Sequence, residues 1–176
     1  MEEKQLLDGC LAGKRSAQKQ LYERYAPNMF GVCLRYAAHR DMAEDMLQEG
    51  FIRVFTKLDS YRSEGSLEGW IRRIMVNTAL EMLRKTDVLK YSVDIEMVQE
   101  YDSAQTDGFG KLSTAELLRN IQEMPAGFRA VFNLFAIEGY SHREIADMLQ
   151  IAEGTSKSQY ARSRAWLQKR IKPQLE

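Results

Sequence analysis

The stretch from Gly139 to Glu176, GYSHREIADMLQIAEGTSKSQYARSRAWLQKRIKPQLE, limits the fold more than any other part of the chain. Ser141 followed three residues later by Glu144 has the spacing of a capping box, in which each side chain satisfies the other's backbone N–H at a helix start. Ile145, Ala146, Met148 and Leu149 then recur at helical spacing. Gln150, Ile151 and Ala152 are too few for anything except a turn, and a second helix is predicted from Gly154 or Thr155 to Ile171. Between Gly154 and Lys172 stand Lys157, Arg162, Arg164, Lys169, Arg170 and Lys172, without one acid. A short helix, a tight turn and a basic second helix predict a helix-turn-helix whose second helix enters the DNA major groove.

The competing reading is a solvated basic face, since charge runs on helices are commonly no more than that. Two features count against it. Thr155, Ser156, Lys157, Ser158 and Gln159 are donors suited to phosphates and base edges. Tyr160, Trp166, Leu167 and Ile171 still leave an apolar side to pack on the first helix. The whole chain is neutral, with 25 Lys plus Arg against 25 Asp plus Glu, so the basic helix is a local concentration of charge.

Charge also divides the chain. Residues 1–90 carry 15 basic and 13 acidic groups, residues 91–113 carry one and five, and residues 114–176 carry nine and seven. The acidic middle, YSVDIEMVQEYDSAQTDGFGK, has weak periodicity and two glycines, which reads as a linker repelled by DNA. The expectation is an all-α protein of two helical domains, 1–88 and 113–176, joined by a flexible tether at 89–112. A chain of 176 residues is long enough for both to bury a core. No run of 18 apolar residues exists and the acidic N-terminus lacks a signal core, so a cytoplasmic protein with no membrane insertion is expected. Cys10 and Cys33 sit in helical pattern and read as buried thiols, and with only His39 and His142 besides, neither a metal site nor a cofactor is expected.

Within the first domain the pattern predicts a helix from Glu3 to about Leu11, ended by Ala12-Gly13, and a second from Ser16 to Tyr25. Pro27, lacking an N–H, is expected to begin a new segment or kink the old one, which then runs to Ala38. Asp41 is the expected cap of the next helix. Its buried face is predicted as Met42, Ala43, Met46, Leu47, Phe51, Ile52, Val54, Phe55 and Leu58, opposite Glu44, Asp45, Gln48, Glu49, Arg53 and Lys57. Asp59–Ser66 is rich in turn formers, and Leu67–Lys85 is predicted as a helix. Tyr61, Arg62, Trp70, Arg72 and Arg73 place aromatics beside arginines, a combination that stacks bases and holds phosphates of a single strand. The competing reading makes Tyr61 and Trp70 core residues. In the second domain one helix is predicted from Ser113 to Met124 and another from Pro125, at a first-turn position, to Glu138, stopped by Gly139; Phe128, Val131, Phe132, Leu134, Phe135 and Ile137 are its expected core.

DMAEDMLQEGFIRVFTKLDSYRSEGSLEGWIRRIMVNTALEMLRK (41–85) resembles region 2 of bacterial RNA polymerase sigma factors of the extracytoplasmic-function (ECF) group. ELLRNIQEMPAGFRAVFNLFAIEGYSHREIADMLQIAEGTSKSQYARSRAWL (116–167) resembles their region 4, and the two occur in the family's order with a linker between. The resemblance implies that Glu44, Asp45, Gln48 and Glu49, with Arg53 beside them, dock on the β′ coiled coil of core RNA polymerase, and that the β flap is a further contact. A row of acids on a helix with a greasy reverse suits a basic partner helix. It implies that Tyr61, Glu64, Gly65, Ser66 and Asn77, with Trp70, capture a flipped base of the promoter −10 element, while Arg72 and Arg73 hold the displaced strand. It implies that Lys157, Ser158, Ala161 and Arg162 face the bases of the −35 element, Lys157 and Arg162 being the expected guanine readers, and that Arg143, Thr155 and Arg164 favour phosphates.

Three departures from the family pattern affect base preference. Gln150 stands in the turn where Gly is common, Ser156 replaces an apolar residue and is expected to loosen the second helix, and Ala161 is small. The resemblance further implies an anti-sigma factor, or self-contact of the domains, that hides the DNA-binding surface. Two rivals remain: a free-standing dimeric helix-turn-helix regulator, which leaves residues 41–85 without a role, and a helical adaptor, which does not explain the basic helix. An enzyme is not expected, because no nucleophile–base pair, phosphate loop or metal cluster is found.

Overall fold

The computed structural model describes residues 3–86, 89 and 113–171, and among them every regular element is helical. The chain divides into two compact units, Met1–Met82 and Leu83–Glu176. Apart from residue 89, the acidic stretch predicted as the tether lies outside the described residues. No helix among the described residues is long and apolar enough to cross a membrane.

In the first unit α1 (Glu3–Leu11) ends at Gly13, whose φ of 71° is open to glycine without strain. Helix α2 (Arg15–Tyr36) runs unbroken through Pro27, where a new segment or kink was expected. One missing N–H deletes a single rung of the ladder. Ala17, Leu21, Tyr25, Met29, Val32, Cys33 and Tyr36 meanwhile form a buried stripe continuous on both sides of it. Burial pushes the Cys33 thiol up to about 12, so it behaves as a small hydrophobe, and both cysteines are free and buried.

Helix α3 (Arg40–Thr56) is capped by His39, whose Nδ1 accepts from the Met42 N–H at 3.2 Å, so the expected cap Asp41 lies two residues further on, in the first turn. Ala43, Met46, Leu47, Phe51 and Val54 are buried as predicted, but Ile52 is 56% exposed. The spacing explains this: Ile52 follows Phe51 by one residue, about 100° round the helix, and leaves the stripe. A 3-10 turn (Leu58–Ser60) and a loop lead to α4 (Leu67–Lys85), with the predicted bounds. Helices α3 and α4 pack tightly at Gly50, where an added Cβ would collide with Met75 Sδ.

The second unit contains α5 (Thr114–Gln122), started by a full Ser113–Glu116 capping box and three residues shorter than expected. Pro125 is the cap of α6 (Ala126–Phe132) and not its first residue, since its ψ of 140° is extended. The expected single helix to Glu138 changes at Asn133 into a π turn (Asn133–Ile137) that closes at Gly139, φ 80°. Ile137, predicted as core, is 38% exposed, because the wider turn carries it out of the α stripe. The buried Arg129 donates from Nη1 to the Gln122 carbonyl at 2.7 Å and the Met124 carbonyl at 3.4 Å, closing the end of α5; burial pulls its guanidinium down to about 10. Helices α7 (His142–Leu149) and α8 (Glu153–Ile171) complete the unit. Leu167 and Ile171 pack on Ile121 and Met124, with Trp166 beside them, and thus on α5 and its end where α7 was the expected partner.

Candidate nucleic-acid interface

The helix-turn-helix forms as its local chemistry requires. Ser141 Oγ accepts from the Glu144 N–H and Glu144 Oε2 accepts from the Ser141 N–H at 2.8 Å, which holds the Glu144 carboxyl below the usual range. Gln150 closes α7 in the left-handed region, φ 56°, a position that a side chain enters at a cost of about 1–2 kcal/mol.

Helix α8 separates its polar residues into two classes. Lys157, Ser158, Ala161 and Arg164 are exposed and Thr155 and Arg162 half-buried, all within one half-turn of the helix. Ser156 and Gln159, predicted as donors to DNA, face inward and are buried, as is Ser163. Ser156 does not loosen the helix: its Oγ lies 2.9 Å from His142 Nδ1, and the His142 ring stacks on Phe135 at 4.2 Å. Phe135 in turn meets Tyr160 at 4.5 Å. A hydroxyl–imidazole contact and an aromatic stack therefore hold α8 to α7 and the π turn.

The basic charge of α8 is also more structured than its sequence suggests. Lys157 Nζ pairs at 2.9 Å with Glu153, an acid just outside the stretch that looked acid-free, and this pairing lowers the Glu153 carboxyl. Arg170 pairs with Glu123 and lies over the Trp166 ring at 4.4 Å, which ties it to the unit's own core. Among the described residues Arg162, Arg164 and Lys169 have no acidic partner, and Arg143 is exposed on the first turn of α7. Lys172 lies outside the described residues.

In the first unit Glu44, Asp45 and Gln48 are exposed and Glu49 half-exposed along α3. Glu44, Asp45 and Gln48 border a groove of about 950 Å³ between α2 and α3, floored by Phe30, Leu47, Phe51 and Phe55. Tyr22 and Ile52 stand exposed at its margin. Arg40 spans one end, pairing with Glu44 at 2.9 Å and covering the Phe30 ring at 5.0 Å. A greasy trough with an acidic rim accepts an amphipathic, basic segment. Arg53, placed with these acids by sequence, is held inside the unit between Glu49 at 3.0 Å and Glu81 of α4 at 2.5 Å.

The loop before α4 is tied to itself. Tyr61 Oη donates to the Gly65 carbonyl at 2.7 Å, and its ring lies 5.4 Å from Trp70. Ser66 Oγ accepts from the Gly69 N–H at 3.1 Å, capping α4, while Ser63 and Gly65 have φ of 56° and 131°. Tyr61, Gly65, Ser66 and Trp70 are thus brought together, with Glu64 exposed at the tip. Trp70, Arg73 and Asn77 share a stripe of α4, Trp70 half-buried and the other two exposed. Arg72 lies about 200° from Trp70 around the helix and points away from that stripe. Glu81, which sequence reasoning passed over, carries the stripe one turn further.

The family Sigma-70 region 2 matches residues 21–88, and the family Sigma-70, region 4, matches residues 114–167. The ECF RNA polymerase sigma-E factor of Haemophilus influenzae is 26% identical over 180 residues, covering 96% of this chain and 94% of that protein. The ECF sigma factor SigE of Mycolicibacterium smegmatis is 31% identical over 153 residues, 84% of this chain and 59% of that longer protein. Among solved structures, the sigma factor RpoE in complex with the anti-sigma factor NepR, from Bartonella quintana, aligns over 88% of this chain and 96% of its own, with a TM-score of 0.54 and 24% identity. With both sigma-70 regions in order and relatives matching along nearly its full length, the chain belongs to the ECF group of RNA polymerase sigma factors, the proteins that direct the polymerase to promoters.

Proposed function

We propose a division of labour between the two units, with residues 1–88 and 113–176 as the working domains and 89–112 as the tether. The acidic rim of α3 (Glu44, Asp45, Gln48 and Glu49) and the groove beneath it dock on the β′ coiled coil of core polymerase. The Tyr61–Ser66 loop with Trp70, Arg73 and Asn77 takes up the −10 element as a separated strand, extracting one base at a cost of a few kcal/mol that stacking and edge contacts offset. Helix α8 reads the −35 element through Lys157, Ser158, Ala161 and Arg162, with Arg143, Thr155 and Arg164 on phosphates, and this unit also meets the β flap. The chain works in the cytoplasm, performs no chemistry of its own, and is held in reserve by an anti-sigma factor.

The observation that carries this reading is the pairing of an acid-rimmed apolar groove with a nearby aromatic loop in one unit, and an outward Lys157–Arg164 face in the other. The solved relative in complex with an anti-sigma factor supports the inhibitor. A free-standing dimeric regulator loses ground because it gives residues 21–88, which match Sigma-70 region 2, nothing to do. Run-off transcription with purified core polymerase on a randomised promoter library tests the proposal. Start sites that appear only with this chain, with preferences at two separated elements, are expected; unchanged initiation would reject it.

A further inference from the structure

Two ridges of side chains in the first unit run toward one point. On α3, Asp45, Glu49 and Arg53 follow at four-residue spacing; on α4, Arg73, Asn77 and Glu81 do the same. The first ridge belongs to the surface assigned above to the polymerase, the second to the surface assigned to the opened strand. They meet where Arg53 Nη1 lies 2.5 Å from Glu81 Oε2, while Arg53 Nε holds Glu49 at 3.0 Å. The Arg53 side chain is 24% exposed, and the Glu81 hydrogen bond is the main reason its guanidinium is held even more firmly protonated than usual. The fork of a guanidinium suits such a joint, because it holds two carboxylates on different helices in a fixed relative position, which a lysine does not.

We propose that Glu81 is a positioning residue for strand opening, acting through Arg53. Its carboxylate fixes the register of α4 against α3, so that the surface gripping the polymerase and the surface meeting DNA move as one body. This assigns Arg53 to the joint between the helices, and it rests on the division of labour proposed above. With Glu81 removed, Arg53 keeps its bond to Glu49 at 3.0 Å, so no guanidinium is left unpaired and the chain stays folded while α4 is less well aimed.

The test uses the full chain with core polymerase on the strongest template recovered from the run-off selection. Three quantities are read: the melting curve, the affinity for core by fluorescence titration, and the rate at which −10 thymines become permanganate-reactive at saturating core. Glu81→Ala is expected to keep core affinity within twofold and to slow opening about tenfold. Arg53→Ala combined with Glu81→Ala is expected to open no more slowly than the worse single variant. Unchanged opening, a parallel loss of core affinity and opening, or single effects that multiply in the double variant would each overturn the proposal. The parallel loss is what a merely structural role produces. If the unaltered chain itself gives no initiation with core, the division of labour fails first, a result distinct from all three.

Discussion

Gly50 gives the sharpest test of how α3 and α4 fit. A methyl group placed there would overlap Met75 Sδ, and Met75 is 0% exposed, so the thioether has no solvent to swing into. Forcing one carbon into a packed site costs about 1–3 kcal/mol. Replacing glycine by alanine inside a helix returns about 1 kcal/mol through backbone entropy. The net effect of Gly50→Ala is therefore about 0–2 kcal/mol of destabilisation, a range too near zero to interpret alone. Gly31, inside α2, supplies the control: a Cβ there meets nothing within 4 Å, so Gly31→Ala should show the helix gain without the clash. The difference between the two variants cancels the propensity term and leaves about 1–3 kcal/mol of overpacking. Urea unfolding followed by Trp70 fluorescence reports on the first unit and measures that difference. If Gly50→Ala stabilises as much as Gly31→Ala, the close approach of the two helices is wrong.

Further outcomes concern the second unit. Lys157→Ala or Arg162→Ala should cost about 1–3 kcal/mol at one or two base positions of the −35 element, read by promoter competition with holoenzyme; an equal loss on every sequence would place these side chains on phosphates. Ser156→Ala should destabilise the unit by about 1 kcal/mol, because it removes a buried hydroxyl from His142; a neutral result in Trp166-monitored unfolding would show that the contact contributes nothing. Glu144 titrates below the usual carboxylate value in the folded chain, so its contribution is present above its unfolded value, about 4.3, and lost as pH falls through the folded one. Glu144→Gln should therefore flatten the loss of melting temperature below about pH 4, and an unchanged acid slope would refute the capping account.

Where one physical rule dominated, the sequence was legible. Helix α4 has its predicted bounds because turn formers precede an uninterrupted apolar stripe, and the Ser141–Glu144 box starts α7 because both orphan N–H groups need those side chains. Pro27 begins no new segment because the loss of one hydrogen bond is outweighed by the buried stripe on either side, which long-range packing on α3 maintains. His39 took the cap from Asp41 because an imidazole nitrogen accepts as a carboxylate does, a role spacing alone does not reveal. In the interface, the exposed row on α3 and the outward face of α8 were visible as patterns. The partners that occupy Arg53, Lys157 and Arg170 were not, since two of the three reach across between helices.

Ser156 and Gln159 were misread for another reason, the equation of polar with outward. Both are buried in the second unit, as are Arg129, Asn133 and Ser163. Burying a polar group costs free energy unless it is bonded, and a bonded one fixes geometry that apolar contacts leave free to slide. Arg129 closes the end of α5 on two carbonyls, Asn133 Nδ2 bonds the Arg129 carbonyl at 2.9 Å where the π turn begins, and Ser156 joins α8 to His142. Each contact lies at a junction between elements, not within one. A helix that must present Lys157 and Arg162 to base edges tolerates little rotation about its axis, since a bidentate contact demands both donors at once. Directional bonds at the junctions supply that restraint, which is a physical reason for a small reading unit to bury hydroxyls, an amide and a guanidinium where leucines would give more hydrophobic stabilisation.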